Sequence, residues 1–123
     1  MKLKKTIPAI LLATFISVPA NAEPMSKTDW AFQGVAATTI ILDWRQTRNA
    51  IDNPKDFYEK NPMLSEHPSK DRVDAYFLGS LIGNTIITRL LPNPYRRIWQ
   101  IVTIGVEINF VVHNTAIGAK VNF

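Results

Sequence analysis

A chain of 123 residues has room for one domain, and 14 basic against 10 acidic side chains give it a formal charge of +4. Three of the lysines lie in the first five residues, within a segment that export would remove, and the remainder then carries about +1. This small excess gives little electrostatic basis for nucleic-acid binding. The absence of cysteine excludes disulfides, thiolate metal sites and a cysteine nucleophile.

Residues 1–22 have the three parts of a secretory signal peptide. A basic start precedes an apolar run over 7–18 and a small-x-small ending at Ala22. We expect cleavage after Ala22, which leaves 23–123 as a single domain. The apolar run is short for a bilayer of about 30 Å, although an uncleaved N-terminal anchor is the alternative. Residue 23 emerges on the periplasmic side in both cases.

Three apolar segments in the remaining chain predict an all-α fold, namely a small helical bundle of about three membrane spans. The third segment is long enough to cross a bilayer. Pro92 ends the second segment, because proline cannot continue the helical hydrogen-bond ladder. The first is short, and whether it crosses fully stays open. The segments run over 30–44, 75–91 and 98–117.

A polar stretch at about 45–74 is predicted as the sizeable loop between the first two segments. Its prolines and Asn-Pro pairs are turn signals. Basic residues favour the cytoplasmic side of a membrane, and this stretch contains more of them than the opposite side. The sequence therefore predicts a protein of the bacterial inner membrane with the 45–74 loop in the cytoplasm. The basic residues are Arg45, Arg48, Lys55, Lys60, Lys70 and Arg72.

Polar residues recur at every seventh position in the third segment, at Gln100, Glu107 and Asn114. An ionisable group at membrane depth costs several kcal/mol unless it finds a partner, so this face should point into the bundle. Such side chains hold membrane helices together by hydrogen bonds. We expect a polar bundle interior that contains Asn84, Thr88, Gln100, Thr103 and Asn114.

Three ionisable side chains are candidates for chemistry: Asp43, Glu107 and His113. They are suited to proton relay, cation binding or acid–base catalysis. The structural alternative, hydrogen bonding between helices, is preferred because no metal-ligand spacing such as H-x-x-x-H occurs. No metal and no cofactor is expected.

Gly79 and Gly83 form a G-x-x-x-G pattern in the second segment. The missing side chains permit close approach of another helix, from the same chain or from a second copy.

The loop carries a further set of polar residues that two prolines gather together. Glu59, Asn61 and His67 are expected to form a compact cap under the helices. The alternative is a site for a divalent metal or for a phosphate-bearing headgroup.

The loop also supports a family resemblance. The patterns D-x-x-Q-T from Asp43, E-x-N-P from Glu59 and H-P-S from His67 resemble a group of small uncharacterised bacterial and phage membrane proteins. The resemblance covers about half of the chain after the signal. It implies a small multi-span membrane protein and no catalytic residue.

Three functions fit these features. The preferred one is a non-enzymatic inner-membrane protein that acts in the lipid bilayer through helix contacts with another membrane protein or with itself. The second is a membrane-embedded catalyst or an ion or proton carrier. The third is a pore-forming lysis protein of the phage type, in which the Gln100, Glu107 and Asn114 face lines water.

Overall fold

The computed structural model describes residues 22–51 and 69–121, which form three α-helices and no strand. The helices are α1 (Lys27–Ile51), α2 (Lys70–Leu90) and α3 (Tyr95–Ala116). The all-helical class predicted from the three apolar segments is therefore confirmed.

Side-chain caps and proline set the helix ends. The Ser26 hydroxyl accepts a hydrogen bond from the Asp29 N–H at 3.0 Å, and the Asp29 carboxylate accepts one from the Ser26 N–H. This reciprocal pair is a capping box and starts α1. Ser69 caps α2 by accepting from the Arg72 N–H at 3.2 Å. Pro92 follows the last turn of α2 and prevents its continuation.

The chain runs up through α1, down through α2 and up again through α3. Trp44 near the end of α1 donates to Asp74 near the start of α2 at 2.8 Å, so these helices are antiparallel. Gln100 near the start of α3 donates to the backbone oxygen of Asp29 at 3.0 Å, so α1 and α3 are parallel. Helix α1 makes most of the contacts, whereas α2 and α3 touch each other least.

The predicted loop at 45–74 is too long, because both of its ends are helical. Helix α1 continues to Ile51, and its last turns bury Gln46 and Thr47. The Gln46 amide donates to the Thr115 hydroxyl at 2.8 Å. Polar residues that suggest a loop are thus held in the helix by contacts with α3. Residues 52–68 lie outside the described part of the chain.

An apolar core lies near the α2 N-terminus. Ile40 packs against Val73 and Phe77 there, and the Trp44 and Phe77 rings stack with centroids 6.2 Å apart. Buried polar side chains occupy the interior on both sides of this core, Asp29 and Gln100 at one end and Gln46 and Asn114 at the other.

Measured by length and mean hydropathy, none of the three described helices is apolar enough to cross a membrane. The expectation of membrane spans is therefore not supported by helix hydropathy. Residues 1–21, which hold nearly all of the predicted signal peptide, are outside the described residues.

Candidate functional site: a polar bundle interior

The interior of the bundle is mainly polar. Among the described residues, twelve buried side chains are polar or charged and seven are apolar. Of the residues predicted to line the interior, Thr103 is half-buried and four are buried, namely Asn84, Thr88, Gln100 and Asn114. Because buried polar groups are costly unless they are hydrogen-bonded, the bonding of this interior decides whether the fold is stable.

The outer face of α3 is mainly apolar, with Asn109 as an exposed polar residue near its middle. Large aliphatic side chains along it are between 48 and 61 % exposed. A helix of a water-soluble bundle turns its apolar stripe inward and its polar face outward, so α3 has the reverse arrangement. The exposed residues are Ile98, Ile101, Val102, Val106, Ile108 and Val112.

A buried arginine closes the end of the bundle where α1 and α3 begin. The Arg96 side chain is completely buried, and its guanidinium pairs with the Asp29 carboxylate at 3.1 Å. Arg97 pairs with the other carboxylate oxygen at 2.8 Å. Arg96 also donates to four backbone oxygens, those of Glu23, Pro24, Thr88 and Arg89. All five N–H groups of the guanidinium thereby have an acceptor. A buried charge is stable only when its donors are satisfied in this way.

The same contacts hold Asp29 in its ionised form. Burial raises the pKa of the Asp29 carboxyl group, but hydrogen bonds from Ser26, Arg97 and Arg96 together lower it by more, and the pKa is about 2. The carboxylate is therefore charged at neutral pH and balances the two arginines only in part.

A chain of amide side chains links all three helices one helical turn further along the bundle from the Asp29–Arg96 ion pair. The Gln33 amide donates to Asn84 at 2.9 Å, and the Asn84 amide donates to the Thr103 hydroxyl at 2.9 Å. Gln100 joins this chain from α3 through a longer contact with Gln33 at 3.4 Å. Asn84 therefore bridges α1 to α3, and the polar groups of the interior bind each other.

Two carboxyl groups meet further along the bundle. Asp43 Oδ1 accepts from the Asn114 amide at 2.7 Å and from the Thr47 hydroxyl at 3.2 Å. The carboxyl group of Glu107 lies beside Asp43 and interacts with it. Asp43 and Glu107, both predicted as candidates, are thus brought together.

The third candidate, His113, is not part of this pair. It is half-buried, and its Nε2 atom is buried without a hydrogen-bond partner among the described residues. Thr88 Oγ1 and Trp99 Nε1 are among the other buried atoms with this property.

A groove of about 420 Å³ runs between α2 and α3, where these helices separate. Its sides are mostly apolar, with Ile87, Val102 and Val106 among them, and Asn84 and Glu107 also line it. The groove therefore connects the apolar outer surface with the carboxyl pair.

Gly79 and Gly83 do not bring two described helices close together. A Cβ atom added at either glycine would meet no atom within 4 Å. Close packing at this pattern within the described chain is therefore not observed, and Gly83 instead lines the groove between α2 and α3.

The predicted loop cap of Glu59, Asn61 and His67 lies outside the described residues. Within 22–51 and 69–121, no group of three His, Cys, Asp or Glu side chains is placed to hold a metal ion.

The sequence did not identify Asp29, Gln33 or Arg96 as interior residues. Arg96 lies beside Arg97 and Trp99 at the start of an apolar segment, which is a setting typical of the membrane boundary. A usable signal for Asp29 was its place three residues after Ser26, which is the spacing of a capping box.

Protein-family models, curated proteins and solved structures were all compared with this chain, and none of them matches it. The resemblance to small multi-span membrane proteins stays a prediction.

Proposed function

We propose that this protein is a small three-helix protein of the bacterial inner membrane that acts through contacts with lipid and with helices of a membrane partner. The observation that carries the proposal is the reversed polarity of the bundle. Side chains such as Ile101 and Val112 are more than half exposed, while Arg96, Gln100 and Asn114 are buried. An apolar exterior around a hydrogen-bonded interior suits a hydrocarbon surrounding.

The mean hydropathy of these helices and the polarity of their surfaces measure different things. The mean of α3 includes Gln100, Glu107 and Asn114, which face α1 or the groove and are buried. In a bundle, lipid would contact the outer side chains alone, and those of α3 are Ile and Val for most of its length. The exposed face is therefore the feature that supports the proposal.

The ends of the bundle are suited to the boundary with water. Trp30 and Tyr95 lie at the end where α1 and α3 begin, and both are exposed. Aromatic residues of this kind favour the headgroup level of a membrane. Asp29, Arg96 and Arg97 are at the same end, just before the apolar stretches that start at Trp30 and Ile98.

The proposal fixes which end of the bundle faces which compartment. Export of residue 23 places the start of α1 in the periplasm and the start of α2 in the cytoplasm. The two ends are marked by exposed residues suitable for labelling, Thr28 and Asp71. Because the chain has no cysteine, a single introduced thiol reports one position.

We would label Thr28→Cys and Asp71→Cys variants in intact cells with a maleimide that does not cross the inner membrane. We expect the thiol at 28 to react and the thiol at 71 to react only after the membrane is disrupted. Labelling of both thiols in intact cells, or release of the protein from washed membranes by alkaline carbonate, would contradict the proposal.

A second candidate function, an ion or proton carrier, is favoured by one observation. The carboxyl groups of Asp43 and Glu107 lie beside each other, and the groove reaches Glu107 from the outer surface. Asp43→Asn and Glu107→Gln would abolish carriage without lowering accumulation, whereas a purely structural role predicts lower accumulation. The pore alternative has no such support, because Gln100, Glu107 and Asn114 are buried within a single chain.

A further inference from the structure

The groove between α2 and α3 has the size of a small-molecule site. Its volume of about 420 Å³ lies in the range of 300 to 1,000 Å³ that is usual for ligand pockets. Gly83 contributes to this space because its missing side chain would meet no neighbouring atom. The groove opens beside Ile87 and Val102, which belong to the exposed apolar surface.

The groove combines apolar walls with one acidic side chain. Glu107 lines it and is 8 % exposed, and none of the described residues lining it is basic. Asp43 is a second buried acidic side chain, 2 % exposed, and it interacts with Glu107. Because the other residues lining the groove are uncharged, a positive charge in the groove would be attracted to Glu107.

An aromatic ring completes the chemistry of the groove. Trp99 is one of the residues lining it, on the same helix as Glu107 and two turns earlier. An indole ring attracts organic cations through its π electrons, and this attraction grows when water is excluded. Ser80 and Thr103 add hydroxyl groups but no charge.

We propose that this groove binds a lipophilic organic cation, with the apolar body of the ligand between α2 and α3 and its positive charge beside Glu107. A neutral apolar molecule would leave the acidic group uncompensated, and a small hydrated cation would leave the apolar walls empty. The inference goes beyond the proposed function and does not depend on topology, because binding is measured on the protein in detergent.

The test uses two probes of nearly the same shape. Methyltriphenylphosphonium carries a positive charge, and triphenylphosphine oxide is neutral. Binding of each to the full chain in detergent micelles is measured by calorimetry. We expect the cation to bind at least about tenfold more tightly than the neutral analogue.

Two variants remove the two features of the groove separately. Glu107→Gln removes the acidic group with little change of shape, and Gly83→Leu fills the space while keeping the charge. Each is expected to weaken cation binding by about tenfold or more. Asp71→Asn and Gly79→Leu are the matched controls, because both residues are exposed and neither lines the groove. Both controls should bind the cation as the unchanged protein does.

Circular dichroism of every variant shows whether the helices are retained. If Glu107→Gln does not fold, the Gly83→Leu variant and the comparison of the two probes still decide. Equal affinity for the charged and neutral probes, no binding of the cation, or full binding by a folded Glu107→Gln or Gly83→Leu variant would overturn the inference.

Discussion

Asp29 in the first turn of α1 and Arg96 in the first turn of α3 form an ion pair of 3.1 Å, with side chains 2 % and 0 % exposed. Burying two charges is costly, and it is offset here because Arg96 also donates to backbone oxygens on both sides of the pair. Removing one partner would leave the other charge buried without compensation. The pair is therefore the contact whose loss should affect the fold most.

Arg96→Lys should destabilise the protein by about 3–5 kcal/mol, because an ammonium group cannot reach the oxygens that the guanidinium fork binds. The measurement is denaturant unfolding in detergent, followed by circular dichroism. Arg97→Lys is the matched control, since Arg97 pairs with the same carboxylate but its side chain is 30 % exposed. Its cost should be about 1 kcal/mol or less. Equal costs for the two variants would show that burial of Arg96 does not matter.

The low pKa of Asp29 predicts a loss of stability in acid. Because the pKa is about 2 in the folded chain against an ordinary value of 3.8, ionised Asp29 stabilises the fold above about pH 4. This contribution, roughly 2 kcal/mol, is lost as the pH falls towards 2. We expect the difference in unfolding free energy between the unchanged protein and Asp29→Asn to shrink over this interval. A difference that is constant from pH 6 to pH 2 would contradict the prediction.

Ile108→Lys distinguishes a lipid from a water surrounding by its effect on the amount of protein. Ile108 is exposed near the middle of the apolar stretch of α3. In lipid, a lysine at this depth costs about 2.5–3.5 kcal/mol and should reduce the amount of protein in the membrane fraction. In water, the same change would increase solubility and leave the amount of protein unchanged. Thr28→Lys, at an exposed helix end, is the control and should accumulate normally.

The amide chain through Asn84 should couple α1 to α2. A double-mutant cycle of Gln33→Ala and Asn84→Ala is expected to give a coupling energy of about 1 kcal/mol, because either change alone breaks the hydrogen bond between the Gln33 N–H and the Asn84 oxygen. The control cycle pairs Asn84→Ala with Thr38→Val. The Thr38 hydroxyl donates to the Gly34 backbone oxygen in its own helix, so its coupling to Asn84 should be close to zero.

The fold class could be predicted from the sequence because each helix has a local sequence pattern. Three apolar segments gave three helices, and Pro92 marked the end of the second one. The extent of α1 could not be predicted in this way. Residues such as Gln46 and Thr47 are polar, and they are helical because α3 offers them partners and covers them. Such contacts join residues about 70 positions apart and leave no local pattern.

The interior was predictable only in part for a similar reason. The seven-residue spacing of Gln100, Glu107 and Asn114 puts them on one helix face, and the structure buries all three. A face of one helix does not reveal which residues oppose it. Gln33 and Asp29 on α1 follow only when α1 and α3 are known to be parallel, and this depends on the path of the whole chain.

The hydrogen bonds of Arg96 join residues that the ribosome makes at different times. Its partners Glu23, Pro24 and Asp29 are made 67 to 73 residues earlier. Until Arg96 has left the ribosome, the beginning of α1 has an acidic group without its principal counter-charge. A polypeptide that is cut off before Arg96 would lack the residue that closes the bundle, and we expect quality-control proteases to remove it.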